Sequence, residues 1–262
     1  MPKLYAFVNQ KGGVGKTTSA VNIAAYIAKL GQRVLLVDLD AQANTTSSLG
    51  YNKFNIQNGI YPLLLDPNQP LSNHLLHNSQ VGIDLLPATP ELAGAEVELV
   101  AVTNREARLQ RVLRQTQAYD YVLIDCPPAL SLLTINALVA AQAVLIPVQC
   151  EYLALEGLSQ LTQTINRIRS TIHPNLGLRG LILTMYDSRA ALSKEVLQEV
   201  RDYFPGKVFD TIIPRNVRLA EAPSHGCPIS IYAPGSSGAK AYALLTQELL
   251  QGDGVNVNKL YA

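Results

Sequence analysis

Cysteine is scarce and scattered in this chain. Cys126, Cys150 and Cys227 are the only three among 262 residues, and no two stand in a CxxC spacing. A disulfide framework and a local zinc or redox motif are thereby excluded, and small buried apolar packing with reduced thiols is expected. A cationic start followed by an apolar run is missing, so no secretory leader is expected and the chain reads as cytosolic. No segment reaches the ~18 uninterrupted apolar residues that a spanning helix needs. Charged residues are few, 16%, and nearly balanced at a formal +1. Disorder is therefore not expected, and binding to nucleic acid or anionic lipid requires a local patch rather than a global field. No repeat, low-complexity linker or composition shift marks a second domain.

Apolar residues, at 48%, fill the space that charge leaves. Strand-like runs "LYAFVN", "RVLLVDLD", "GIDLLPA", "YDYVLIDCP", "AVLIPVQ", "LRGLILTMYD" and "KVFDTIIP" alternate with helix-like stretches. Several are continuously apolar, as strands of a parallel sheet covered on both faces should be. The expected fold is α/β: a single doubly wound, mainly parallel sheet with helices on both faces, spanning residues 1–251. Residues 51–90 are less regular and suggest short helices and loops. Residues 252–262, "GDGVNVNKLYA", read as a flexible C-terminal tail.

The stretch "VNQKGGVGKTTSA", Val8–Ala20, follows an apolar strand and opens a helical pattern. A P-loop reads G-x-x-x-x-G-K-[ST], with backbone N–H groups around the phosphates, a lysine reaching the β and γ phosphates and a hydroxyl on Mg²⁺. Gly15, Lys16 and Thr17 match its second half, but Gln10 occupies the first glycine position, Gly12 and Gly13 replace it, and Lys11 is added. Strand, glycine turn and helix N-terminus make an anion site. On residue type alone, Lys11 could be a solvated loop lysine.

In a doubly wound sheet ligands bind beyond the carboxyl ends of the strands. "YDYVLIDCPP" ends in Asp125, placed as a Walker B acid beside Thr17 to hold the Mg²⁺ shell, and "RVLLVDLDAQAN" ends in Asp38 and Asp40. The strand repeat of two puts Asp38 and Asp40 on one side. Asp40, farther out, suits orienting the attacking water, and Asp38 the outer shell of the metal; the alternative is that both cap the turn that follows.

"KGGVGKTT", "DLDAQANTT", "DCPP" and "PRNVRLAEAPSHGCPI" together resemble the ParA/Soj proteins, deviant-Walker ATPases that partition chromosomes and plasmids, from Lys3 to about Leu250. The resemblance implies a Mg²⁺-dependent ATPase, converting ATP and water to ADP and phosphate, that forms an ATP-sandwich homodimer. Lys11 would then contact the phosphates held by the other subunit, where a cation lent in trans offsets their repulsion. Lys16 would bind the β and γ phosphates and Thr18 the α phosphate, while Gly13, Val14 and Gly15 would give backbone N–H groups. Gly12 would lie where the dimer packs closely, and Pro214 and Asn216 against the adenine. Met185 would be close by, or else a core residue at a strand end.

The same resemblance implies non-specific DNA binding by the ATP dimer, nucleoid association and a ParB-like partner that triggers hydrolysis. The DNA candidates are Arg189, Lys194, Arg215 and Arg218, in a stretch that also holds Arg179 and Arg201. Arg105, Arg108, Arg111 and Arg114 read instead as the outer face of a helix on the sheet. A MinD-like membrane-cycling ATPase is the alternative, but "LLQGDGVNVNKLYA" lacks the basic amphipathic helix it requires. A ParA-like positioner of a protein cargo would share the same site chemistry.

Overall fold

The computed structural model describes residues 1–151 and 154–257, and the apolar runs between them assemble into one sheet. Its strands are β1 (Lys3–Phe7), β2 (Val34–Asp38), β3 (Leu76–Asn78), β4 (Ile83–Leu86), β5 (Tyr121–Asp125), β6 (Ala143–Gln149) and β7 (Gly177–Thr184). Their spatial order is β3-β4-β2-β5-β1-β6-β7. Every pairing is parallel except that of β3 with β4.

The helices are α1 (Lys16–Lys29), α2 (Asn44–Ser48), α3 (Ile60–Leu65), α4 (Leu92–Glu98), α5 (Arg108–Leu113), α6 (Leu132–Ala140), α7 (Ala154–Thr171), α8 (Ala191–Tyr203), α9 (Val217–Glu221), α10 (Ile229–Tyr232) and α11 (Ser237–Gly252). Because strand side chains alternate, each strand feeds two cores. Tyr5, Phe7, Leu36 and Leu123 pack with α1, α10 and α11, whereas Ala6, Val37, Ile124 and Ile146 pack with α3 to α8. That is the doubly wound arrangement, and it explains why strands buried on both faces read as unbroken apolar runs.

Two runs behave differently from expectation. "KVFDTIIP" is not a strand. It meets β7 through an isolated bridge, Val208 with Leu181, and through the Ile213 amide, which donates to the Leu183 carbonyl at 2.9 Å, and meets the chain just beyond β7 through a second bridge, Pro214 with Tyr186. Between them the Asp210 and Thr211 amides donate to the Glu248 carboxylate on α11 rather than to the sheet. Conversely, β3 is a short antiparallel edge inside the region read as helices and loops.

The expected tail is held at its start. Asp253 accepts hydrogen bonds from the Tyr5 and Tyr121 hydroxyls at 2.8 and 3.1 Å and from Arg179 Nε at 2.9 Å, and Val255 and Val257 pack on the core. Residues 258–262 of that tail lie outside the described residues. The arginine stripe is also corrected. Arg108 is buried and donates to the Leu64 and Leu65 carbonyls, while Arg105 belongs to a short 3-10 turn.

Candidate functional site

The parallel register brings the carboxyl ends of β1, β2 and β5 level: Phe7 pairs with Asp125, and Asp125 with Asp38. The chain leaving β1 therefore turns directly over both acids. The turn is made by Gly13 and Gly15 at φ 74° and 90°, a left-handed region closed to most side chains, and Gly15 caps α1. Two side-chain hydrogen bonds tie the loop to other strands. Asn9 Nδ2 donates to the Pro147 carbonyl at 2.7 Å, and Thr184 Oγ1, at the end of β7, donates to the Val14 carbonyl at 2.9 Å.

Lys16 is buried at the start of α1, its Nζ donating to the Lys11 carbonyl at 3.3 Å across the loop. Burial lowers its pKa, opposed by the nearby charges of Asp125, Cys126 and Asp40. Thr17 Oγ1 donates to Asp125 Oδ2 at 2.6 Å, and Thr45 Oγ1 donates to the same oxygen at 2.7 Å. Asp125 Oδ1 is one of two buried side-chain atoms without a hydrogen-bond partner among the described residues. A carboxylate oxygen with that much desolvation and no donor fits a site for a cation or its bound water beside the Thr17 hydroxyl.

Burial pushes the Asp125 carboxyl up to about 6, against the two hydroxyl bonds and the Lys16 charge that lower it. Burial, then the Asp125 charge, pushes Asp38 up to about 7. Asp38 and Asp40 do not share a strand face as expected, because β2 ends at Asp38. Asp38 is fully buried, accepting from the Thr46 amide and hydroxyl at 2.8 and 2.7 Å and from the Asp40 amide at 3.2 Å. Asp40 lies beyond the strand, half-buried, with Oδ1 accepting from the Gln42 amide at 3.0 Å.

Two open cavities adjoin here. One, of about 460 Å³, is lined by Gly12, Gly13, Lys16, Thr17 and Asp40; the other, of about 420 Å³, by Met185, Pro214, Asn216 and Tyr242. Gly15, Thr18 and Met185 border both. The polar cavity suits phosphates and the apolar one a planar base, so the residues expected for the two ends of a nucleotide converge. Met185 has φ 53°, a strained conformation for a side chain of its kind, and it turns the chain leaving β7 against the 213–215 segment. Asn216 caps α9 by accepting from the Arg218 amide and donates to Ser237 Oγ.

Lys11 is exposed, with Nζ 3.7 Å from a Glu151 carboxylate oxygen. Of the DNA candidates, Arg189 is held by Asp187 through two side-chain bonds at 2.9 and 2.8 Å, Arg215 meets Glu151 at 3.2 Å and Arg218 meets Glu221 at 2.9 Å. Lys194 is exposed on α8. Sequence reasoning missed Thr45, Thr46, Thr184 and Glu151. The adjacent hydroxyls of "ANTT", directly after the acids, were the available signal; nothing local marks Thr184 or Glu151.

Residues 2–178 match a protein family described as an AAA domain. The chain is 51% identical over 250 residues to the sporulation initiation inhibitor protein Soj of Bacillus subtilis, covering 95% of this chain and 98% of that one. It is 48% identical to the chromosome-partitioning ATPase Soj of Treponema pallidum, covering 97% and 99%. A solved structure of cobyrinic acid a,c-diamide synthase from Mycobacterium smegmatis with bound ATP analogue and magnesium is 37% identical, with a TM-score of 0.84 over 99% of this chain and 100% of that one. Full-length similarity at this level, on a sheet that sets a glycine turn over two buried acids, means that the chain belongs to the ParA/Soj family.

Proposed function

We propose that the protein is a ParA-type, Mg²⁺-dependent ATPase whose ATP-bridged homodimer binds DNA without sequence preference and serves chromosome segregation. The observation that carries this reading is the Thr17–Asp125 pair under the glycine turn, with the second Asp125 oxygen buried and without a hydrogen-bond partner among the described residues. The relatives named for chromosome partitioning support it, as does the ATP analogue with magnesium in a 37% identical structure.

In this reading the base lies between Met185 and Pro214, and the phosphates are wrapped by the Gly13, Val14 and Gly15 amides. Lys16 reaches the β and γ phosphates, and Thr18 the α phosphate. Thr17 and Asp125 hold magnesium, with Asp38 behind them; the ion, when bound, neutralises charge on the β and γ phosphates. Asp40 holds a water in line with the γ-phosphorus. As that water's oxygen bonds to phosphorus, the bond to the bridging oxygen breaks, leaving ADP and phosphate. Positioning and charge neutralisation suffice for this transfer. Lys11 reaches the partner's phosphates, and Arg189, Lys194, Arg215 and Arg218 meet DNA on the nucleoid. A ParB-like protein is the proposed trigger, and the cytoplasm the proposed compartment. No helix among the described residues is long and apolar enough to cross a membrane.

Size-exclusion chromatography with and without ATP, then with DNA added, tests this. The expected result is a monomer without nucleotide, a dimer with ATP, and DNA co-elution only with ATP. An unchanged elution volume with ATP refutes the sandwich.

A further inference from the structure

Asp125 Oδ2 receives two hydroxyls from different elements: Thr17 from the start of α1, and Thr45 from α2. Thr17 belongs to the phosphate loop and needs no further explanation. Thr45 comes from the segment carrying Asp40, is fully buried, and spends its only donor on the metal-side carboxylate. Its neighbour Thr46 fastens the same helix to Asp38 by an amide and a hydroxyl, and the Thr46 hydroxyl also accepts from the Ala88 amide at 3.2 Å.

Between these anchors and Asp40 the chain has little slack. The Ala43 amide donates to the Asp40 carbonyl at 2.8 Å, and the Ser47 amide to the Ala43 carbonyl at 3.0 Å. Ala43 itself sits at φ 52°, a strained turn for a residue with a Cβ, so relaxation is available to it if an anchor is lost. Among the described residues the Asp40 carboxylate accepts only within its own loop, from Gln42. The placement of its carboxylate is therefore set by where α2 is fastened.

We infer that Thr45 is a positioning residue for the hydrolytic reaction: its hydroxyl shares Asp125 Oδ2 with Thr17, fixing that carboxylate, and ties it to the loop bearing Asp40. The inference rests on the ATPase reading above. With both hydroxyls on Oδ2, rotation of the carboxylate costs two charge-assisted hydrogen bonds, which fixes its orientation beside the Thr17 hydroxyl. Without the Thr45 hydroxyl one bond remains, and α2 loses its connection to the metal side. Groups that orient a metal ligand in this way typically alter metal affinity or activity by roughly 10–100-fold when removed.

The test replaces the hydroxyl with a methyl of the same shape, Thr45→Val, alongside Thr45→Ser, which restores the donor. A fluorescent ATP analogue is titrated into each protein with excess Mg²⁺ and with EDTA, without turnover, and kcat and KM are measured separately. Thr45→Val is expected to keep the EDTA affinity, lose about tenfold of the Mg²⁺-dependent gain and lose at least about tenfold in kcat, with Thr45→Ser near wild type. A purely structural threonine would move the melting temperature while leaving the Mg²⁺ gain intact, and that result overturns the inference. If wild type responds to Mg²⁺ and Thr45→Val responds equally, the inference alone fails. If wild type shows no Mg²⁺ gain, the ATPase reading fails with it. Should the valine chain not fold, Thr45→Ala is compared with Thr45→Ser by the same readouts; equal Mg²⁺ gains in those two overturn the inference.

Discussion

Lys11 Nζ stands 3.7 Å from a Glu151 carboxylate oxygen, and the other oxygen of that carboxylate takes Arg215 at 3.2 Å. One acid thus holds the lysine proposed to act in trans and an arginine proposed to meet DNA. Both partners of the Lys11 contact are about half exposed, so the pair is worth at most about 1 kcal/mol. It is weak enough to exchange for phosphate oxygens. Lys11→Ala is expected to bind ATP with unchanged affinity yet elute as a monomer, as light scattering would record. Glu151→Gln is expected to dimerise with ATP at up to about fivefold lower protein concentration, since the competing partner is gone.

Among the described residues the Asp40 carboxylate accepts from the Gln42 amide alone, and it borders the phosphate-side cavity. Asp40→Ala should retain ATP and the dimer while turnover falls by about 100-fold or more. A phosphate-release assay beside a nucleotide titration separates the two, and unchanged turnover would remove Asp40 from the mechanism.

Arg189 is paired with Asp187. Asp187 accepts its Nε and Nη2 and its backbone amide, which holds that carboxyl well below the usual range. Arg189→Glu should abolish salt-sensitive DNA retention without altering nucleotide affinity. Asp187→Asn should do the opposite, raising DNA affinity and steepening its salt dependence, because a full positive charge becomes available to displace counterions. Filter binding across a salt series reads both variants.

The two buried acids make the nucleotide-free protein sensitive to pH. Burial raises Asp38 to about 7 and Asp125 to about 6, above the ~3.9 of an unfolded aspartate, and the Asp125 charge is part of what raises Asp38. The folded state therefore binds more protons than the unfolded chain through this window. The associated stability is fully present below about pH 4 and is lost as pH climbs through 6 and 7. Melting temperature without nucleotide should be higher at pH 6 than at pH 8, by about 2–4 °C per kcal/mol. Asp38→Asn should flatten that dependence.

Legibility followed the range of the interactions. The placement of the glycine turn, Lys16, Thr17 and Asp125 could be read because it depends on sequence-adjacent features: a strand end, a positive φ, a helix start. The base-side cavity could not be read from local pattern, because Met185 and Pro214 meet only once the chain leaving β7 bridges to the 208–214 segment. That same segment was misread as a strand. Its apolar pattern is strand-like, but the carboxylate that draws Asp210 and Thr211 off the sheet belongs to Glu248, 37 residues from Thr211. Thr45 was hidden for the same reason, since its partner Asp125 lies 80 positions away.

Asp253 is the most consequential of these distant partners, and it yields the last prediction. An acid two residues into a glycine- and asparagine-containing end has no local reason to be ordered, yet its side chain is 3% exposed and gathers two tyrosine hydroxyls and a guanidinium. Tyr121 opens β5 and Arg179 lies early in β7, so the cluster sits at the amino ends of the strands, away from the nucleotide site. Arg179 also donates to the Leu249 carbonyl and lies against the Phe209 ring. Removing the acid would leave a largely buried guanidinium and two hydroxyls short of an acceptor, and breaking a buried pair from one side typically costs about 3–5 kcal/mol. Because Arg179 keeps one-fifth of its side chain exposed, the lower end of that range applies. Asp253→Ala is thus expected to lower stability by about 3 kcal/mol in urea unfolding while ATP affinity stays unchanged. Arg179→Met with Asp253→Leu should recover most of the loss, since a buried ion pair can be replaced by apolar side chains with little net cost. A single Asp253→Ala variant as stable as wild type would mean that the end of the chain is not needed to close the lower edge of the sheet.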